Sequence, residues 1–151
     1  MLLVSACFLG VNCKYNGTNN LNSEVMKLLS KERLIPVCPE QLGGCPTPRS
    51  PVEIIDGDGE DVLNGKSKVI SKNGEDVTQN FIIGAKEVLK LARTMSIKKA
   101  ILKERSPSCG IRSIYDGTFS GKTRSGSGVT AQILKSSGIT VISEEDLRNG
   151  K

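Results

Sequence analysis

The chain contains five cysteines and no histidine, and these two counts decide which chemistry is open to it. Without imidazole, Ser-His and Cys-His nucleophiles and histidine metal ligands are excluded, so any acid, base or metal ligand must be another side chain. No Cys-x-x-Cys spacing occurs, which argues against a zinc ribbon or a thioredoxin-type redox pair. An odd number of cysteines also fits poorly with a disulfide framework. What the thiols do therefore depends on where the fold places them.

Strands and helices alternate along the sequence, which predicts how these thiols are positioned. Strands are predicted at residues 2–6, 34–37, 99–103 and 140–143. Helices are predicted, from caps and from apolar residues three and four apart, at residues 22–31, 76–95 and 129–137. The pattern is typical of an α/β fold, here a single Rossmann-like domain over residues 1–151 with a mainly parallel sheet flanked by helices.

Two regions depart from this alternation. Short apolar segments on either side of an Asn64-Gly65 turn signal predict a small hairpin insertion near residues 52–72. Residues 39–51, PEQLGGCPTPRSP, contain four prolines and two glycines, and this composition predicts an ordered functional loop without regular structure. A second long loop is predicted over residues 104–128.

Three of the cysteines follow the ends of different predicted strands: Cys7 the first, Cys38 the second and Cys109 the third. Carboxyl ends of parallel strands meet at one sheet edge, where α/β proteins bind ligands. Three thiolates without histidine suit zinc or an iron–sulfur cluster. The alternative that each cysteine is a small buried apolar residue stays open. Cys13 and Cys45 are either fourth ligands or loop residues.

Carboxylate and hydroxyl groups accompany these cysteines. Glu40 follows Cys38 by two residues and would serve as general acid or base if burial raises its pKa. Ser106 and Ser108 precede Cys109 and are candidate hydrogen-bond donors. In the alternative interpretation, Glu40 is a surface carboxylate and the serines cap a turn.

Basic groups flank the same loops, and the chain carries a net charge of +5. This balance favours anionic ligands, although solvated basic surfaces are equally common. The candidate substrate- or anion-binding arginines are Arg49, Arg105 and Arg112. Gly126 and Gly128 precede the last predicted helix, whose N-terminus is a weaker candidate for an anion site.

The apolar start of the chain is too short for a secretory signal. No Lys or Arg precedes Lys14, and no apolar stretch approaches the ~18 residues of a membrane span. We therefore expect a cytoplasmic protein.

Four ordered motifs resemble those of the thiouracil desulfidase (TudS) family: VSACFLGVNCKYNG, PVCPEQLGGCPTPRSPVEI, GEDVTQNFIIGA and LKERSPSCGIRSIYDGTFSG. The resemblance extends over nearly the whole chain. It implies a small α/β protein that carries a [4Fe-4S] cluster on Cys7, Cys38 and Cys109. Cys13 is not counted as a ligand, and Cys45 stands where many relatives have an aliphatic residue.

The resemblance also implies an activity, the removal of sulfur from thiolated uracil bases or nucleotides by non-redox hydrolysis. By the same resemblance, Glu40 and Ser106 are the catalytic residues. The unique iron would take the substrate sulfur as hydrosulfide, an activated water would attack the ring carbon, and Glu40 would handle the proton. The implied partner is a small-molecule substrate, with no stable nucleic-acid complex and no membrane.

Two other functions stay open. One is a nucleotide- or RNA-binding module with structural thiols or zinc, for which the chain has few aromatic residues to stack on bases, two Tyr and three Phe. The other is a redox sensor with Cys7 and Cys13 as the reactive pair. The sequence does not indicate an oligomeric state.

Overall fold

The fold was examined in a computed structural model, which describes residues 1–148. The strands of this part of the chain are β1 (Leu2–Ser5), β2 (Leu34–Val37), β3 (Val52–Ile55), β4 (Lys68–Ser71), β5 (Lys99–Leu102), β6 (Ser113–Tyr115), β7 (Thr123–Ser125) and β8 (Thr140–Ser143). Its α-helices are α1 (Ser23–Lys27), α2 (Pro39–Leu42), α3 (Gly59–Leu63), α4 (Thr78–Thr94), α5 (Val129–Ser136) and α6 (Glu144–Arg148). Residues 149–151 of the predicted domain lie outside the described residues.

Four strands form a parallel sheet in the order β2-β1-β5-β8. The central strand β1 pairs through Leu3 with Ile35 on one side and Ala100 on the other. All four residues of β1 are buried, as expected for a strand covered on both faces. The predicted α/β architecture with a mainly parallel sheet is confirmed.

Alternating side chains of the sheet pack into two apolar layers. Leu3 packs in a cluster that includes residues of α4 and α5, whereas Leu2 and Val4 pack in a cluster that includes Val25 of α1 and Phe8. This division follows from the two-residue period of a strand. The helices thus cover both faces and leave the carboxyl edge of the sheet for the connecting loops.

The predicted hairpin insertion is present, with one correction. β3 and β4 pair antiparallel, but the acidic segment between them contains α3 rather than only a turn. The Asp58 carboxylate accepts a hydrogen bond from the Asp61 N–H, and the Asp61 carboxylate accepts one from the Asp58 N–H, which together form a capping box.

Two segments predicted as loops contain regular structure. The proline-rich segment was expected to exclude it, but residues Pro39–Leu42 form helix α2. Pro39 occupies the first helical position, where the missing N–H costs nothing and the fixed φ suits a helix. In the long loop after β5, strands β6 and β7 pair antiparallel.

Two predicted boundaries also shift. The first strand ends at Ser5 and continues as a 3₁₀ helix over Ala6–Leu9, and α1 ends at Lys27 before a 3₁₀ turn over Leu28–Ser30. Helix α6 was not predicted. Within residues 1–148, no helix combines the length and apolar character needed to cross a bilayer.

Candidate active site

A cavity of about 630 Å³ opens at the carboxyl edge of the parallel sheet. Four cysteines contribute to its wall: Cys7, Cys13, Cys38 and Cys109. Other lining residues with polar or aromatic groups include Ser5, Asn20, Glu40, Arg49, Lys72, Lys103, Glu104, Arg105, Ser106, Tyr15, Tyr115 and Phe119. The three cysteines expected at this edge are therefore brought together, and Cys13 joins them.

Each of the three cysteines is positioned by the element that follows its strand. Cys7 lies in the 3₁₀ helix after β1 and is 8% exposed. Cys38 is the N-cap residue of α2, and its carbonyl accepts a hydrogen bond from the Leu42 N–H at 3.0 Å. Cys109 is buried in the loop after β5.

The N-terminus of α5 holds the Cys109 loop. The N–H of Val129 donates to Pro107 at 2.9 Å and that of Thr130 to Ser108 at 2.8 Å. Because Ala131 donates to Ser108 as well, these N–H groups are occupied by main-chain carbonyls rather than left to bind an anion. The interpretation of this helix start as an anion site is therefore not supported by the geometry.

Gly128 permits the close approach between α5 and this loop. A Cβ atom at position 128 would lie 2.4 Å from the Ser108 carbonyl carbon. Gly128 is therefore required by backbone packing against the cysteine loop rather than by a bound phosphate, whereas Gly126 packs against Asp58.

The two serines of the loop occupy different environments. The Ser106 Oγ accepts hydrogen bonds from the N–H groups of Ser108 and Cys109, each at 3.1 Å, and the residue lines the cavity. The Ser106 hydroxyl proton therefore remains available to a molecule in the cavity. Ser108 is buried and lies 2.8 Å from the Thr130 hydroxyl.

Cys13 lies against the thiols of Cys7 and Cys38. Hydrogen bonds with Cys38 and Cys7 raise the pKa of Cys13, so this thiol keeps its proton. Hydrogen bonding from Cys13 lowers the pKa of Cys7 to about 7 and also lowers the pKa of Cys38. The pKa of two of the three expected ligands is therefore shifted in the direction that favours the thiolate, the form that binds metal.

The remaining cysteines are less ionisable. Burial raises the pKa of Cys109, and Glu40 adds to the rise. Cys45 does not line the cavity; it packs with Ile54 and Phe81 in the apolar cluster beneath α4, and burial raises its pKa. Cys45 therefore behaves as the small apolar residue considered from the sequence.

Three cysteines on one wall could serve two kinds of metal site, which differ in the spacing that they require. Around a single zinc the ligand sulfurs would lie about 4 Å apart, since Zn–S bonds are about 2.3 Å long. In an iron–sulfur cluster each cysteine binds a different iron, so the sulfurs would lie farther apart. Among residues 1–148, no three Cys, Asp or Glu side chains are grouped to bind one metal ion.

Glu40 lies beside the thiols and is largely buried. Its Oε2 lies 3.3 Å from Nη2 of Arg49, and the two side chains are only 16% and 10% exposed. Burial raises the pKa of Glu40, while Arg49 and the Ser108 hydroxyl oppose that rise. The carboxyl can therefore hold a proton closer to neutral pH than an exposed glutamate does.

The three candidate arginines lie in different places. Arg49 lines the cavity and also donates to the carbonyl of Cys13 at 2.9 Å. Arg105 lines the cavity and pairs with Glu145 at 2.9 Å. Arg112 is exposed, pairs with Asp146 and is absent from the cavity wall.

Comparisons with known proteins identify the family. The chain matches the 2-thiouracil desulfurase family over residues 2–146. The chain belongs to the 2-thiouracil desulfurase family. It is 50% identical over 149 residues to the uncharacterized protein YbbK of Bacillus subtilis strain 168, a match that covers 99% of each chain.

A solved structure extends the likeness to the fold. The [4Fe-4S]-dependent thiouracil desulfidase TudS superposes with a TM-score of 0.84 at 39% identity, covering 98% of this chain and 93% of that one. The family resemblance expected from the four motifs is confirmed.

Three residues of this desulfurase-family site escaped the sequence interpretation. Asn20 donates to the Cys7 sulfur, Ser5 lines the cavity and accepts from the Lys103 N–H, and Glu104 anchors the loop that follows it. Ser5 lies inside an apolar strand, and Asn20 is one of several asparagines in its loop. Neither Ser5 nor Asn20 carries a sequence signal that distinguishes it from its neighbours.

Proposed function

We propose that this chain is a [4Fe-4S]-dependent desulfidase that hydrolyses the thiocarbonyl of 4-thiouracil or 4-thiouridine monophosphate and releases hydrosulfide. The observation that carries the proposal is the placement of Cys7, Cys38 and Cys109, from three separate loops, on one cavity wall beside the buried Glu40. Membership of the 2-thiouracil desulfurase family and the likeness to TudS support it.

The donor set suits an iron–sulfur cluster. Cys7, Cys38 and Cys109 would each bind one iron, and Cys13 would lie next to the first two as a protonated thiol. When bound, the cluster supplies one iron without a protein ligand, a soft Lewis acid for a thiocarbonyl sulfur.

The net reaction is hydrolytic. Water supplies the oxygen of the new carbonyl, the carbon–sulfur bond breaks, and the products are the oxo-pyrimidine, hydrosulfide and one proton, with no change in oxidation state. Glu40 removes a proton from the attacking water, because burial raises its pKa toward the working range of a general base. Arg49 keeps the carboxylate in place through the 3.3 Å ion pair.

Ser106 acts as a hydrogen-bond donor to the substrate. Its oxygen accepts from the N–H groups of Ser108 and Cys109, which leaves its proton free to be donated to a bound substrate. A donor held in this way stabilises negative charge on the pyrimidine as water adds.

The remaining wall fits a pyrimidine or its nucleotide. Three of the five aromatic residues of the chain, Tyr15, Tyr115 and Phe119, line the cavity and offer faces for ring stacking. Lys72 and Arg105 also line it and offer positive charge to a phosphate. Both free-base and monophosphate substrates are therefore included in the proposal, and a cytoplasmic location stays a prediction.

The deciding experiment uses protein purified and reconstituted without oxygen. We expect about four irons and four sulfides per chain, and release of sulfide from 4-thiouracil or 4-thiouridine monophosphate. In ¹⁸O-labelled water, one labelled oxygen should enter each product molecule. Turnover without the label, or a cluster-loaded protein that releases sulfide from neither substrate, would overturn the hydrolytic assignment.

A matched pair of variants tests the ligand set. We expect Cys109→Ala to lose iron, colour and activity together, whereas Cys45→Ala should keep all three because Cys45 packs away from the cavity. Full cluster content in Cys109→Ala would contradict the proposed ligands.

A further inference from the structure

The sulfur of Cys7, one of the three proposed ligands, receives a hydrogen bond from a group other than a cysteine. The side-chain amide of Asn20 donates to Cys7 Sγ at 3.4 Å. A donor of this kind is one of the means by which proteins orient metal ligands and adjust their charge.

Asn20 is held in place by a second bond to the same cysteine. Its backbone N–H donates to the carbonyl of Cys7 at 3.0 Å, while its side chain donates to the sulfur. The two bonds tie the loop after the 3₁₀ helix back onto Cys7 and fix the direction of the amide. Asn20 is half-buried and lines the cavity, so the amide lies at the site rather than on the outer surface.

The neighbouring Asn19 differs in each of these respects. It is exposed, its amide donates to Asn12 at 2.9 Å, and its oxygen accepts from the Leu21 N–H at 2.9 Å. Asn19 thus stabilises the loop alone, whereas Asn20 stabilises the loop and contacts a proposed ligand.

We propose that Asn20 is a positioning residue whose amide holds the Cys7 sulfur and raises the reduction potential of the cluster. The inference rests on the proposed function, since it requires the cluster. A donated N–H withdraws negative charge from the thiolate sulfur and favours the more negative, reduced state of a cluster. The same withdrawal strengthens the irons as Lewis acids toward a thiocarbonyl sulfur.

The test compares Asn20→Leu, which keeps the size but removes the donor, with Asn19→Leu as the control. Both variants and the wild type are reconstituted without oxygen, and iron, sulfide and the reduction potential are measured. We expect Asn20→Leu to bind the cluster at a more negative potential and to lose it about tenfold faster in air, as for removal of a hydrogen bond to a charged group. Asn19→Leu should match the wild type.

A second variant covers the case in which Asn20→Leu does not take up the cluster. Asn20→Asp keeps the shape and polarity but presents a carboxylate oxygen to the sulfur. We expect its reduction potential to be at least as negative as that expected for Asn20→Leu. A potential equal to that of the wild type in a loaded Asn20 variant would overturn the inference alone. Absence of iron from the reconstituted wild type would overturn the proposed function and the inference with it.

Discussion

Two glutamates on the cavity wall, Glu40 and Glu104, show opposite pKa shifts. Partial burial raises the pKa of Glu40, whose carboxylate lies 3.3 Å from the Arg49 guanidinium. Burial acts in the same direction on Glu104, but hydrogen bonds from the backbone hold the pKa of Glu104 below its ordinary value. The same side chain is therefore prepared to exchange a proton at one position and kept ionised at the other.

The pKa shifts of Glu40 and Glu104 differ because of the number and rigidity of the hydrogen-bond donors around each carboxylate. Oε1 of Glu104 accepts from Ile111 at 2.6 Å, Arg112 at 3.0 Å, Ser113 at 3.3 Å and Arg105 at 3.4 Å. These N–H groups belong to the backbone of one loop, so they cannot move away from the Glu104 carboxylate one at a time. A carboxylate in such a nest acts as an anchor for the loop that carries Ser106 and Cys109, whereas Glu40 is the residue that we propose as the general base.

The largest effect is expected from Glu40→Gln, which removes the base and nearly keeps the shape. We expect turnover of 4-thiouracil or its nucleotide to fall by about 10²–10⁴-fold, the usual contribution of a general base, with the iron content unchanged. Turnover and iron are measured on the same anaerobic samples. Exposed Glu32→Gln is the control.

A Glu40→Gln variant that keeps the cluster and full turnover would contradict the proposed difference in role between Glu40 and Glu104. Both glutamates would then be structural. A variant that loses iron as well as activity would instead place Glu40 among the groups that hold the cluster site together.

The next largest effect is expected from Glu104→Gln. The neutral amide oxygen accepts the four N–H groups less strongly than the carboxylate does, so we expect the free energy of unfolding to fall by about 2–3 kcal/mol. Urea denaturation of the metal-free protein gives this value without involving the cluster. A change below about 0.5 kcal/mol would show that the nest does not depend on charge.

The pH dependence of stability distinguishes the contribution of the Glu104 charge from that of its shape. Because the folded-state pKa of Glu104 is lowered, its contribution is fully present above the ordinary glutamate pKa of about 4.3 and is lost as the pH falls through the folded-state value. Urea midpoints of the wild type should therefore decline in this acidic range more steeply than those of Glu104→Gln. Parallel curves would contradict an ionised Glu104.

The fold and the convergence of three cysteines at one sheet edge were largely predictable from the sequence. Apolar runs specify the four sheet strands, and the parallel order brings Cys7, Cys38 and Cys109 to one edge without any further information. Glu40 was identified as a candidate general acid or base from its position beside Cys38, and the four motifs indicated the family.

The parts that were not predictable depend on contacts between distant residues. The exposed strand Thr123–Ser125 has no apolar alternation, so its pairing with β6 leaves no pattern. Glu104 became an anchor only because residues 111–113 fold back onto it. The sequence left Cys13 as either a fourth ligand or a loop residue, and only the fold shows that it lies against Cys7 and Cys38.

The smallest effect is expected from breaking the ion pair between Arg112 and Asp146, since Arg112 does not line the cavity. Arg112 was an anion-binding candidate, but its side chain is 56% exposed and pairs with Asp146 instead of entering the cavity. Because Asp146 is buried and would lose its charged partner, we expect Arg112→Ala to cost about 1–2 kcal/mol in urea denaturation and to leave the KM for a thiolated nucleotide unchanged. Asp146 keeps the Ser143 N–H at 2.9 Å, which limits the loss. A rise in KM for the nucleotide but not for the free base would mean that Arg112 reaches a phosphate, and the substrate site would then extend beyond the cavity that contains Glu40.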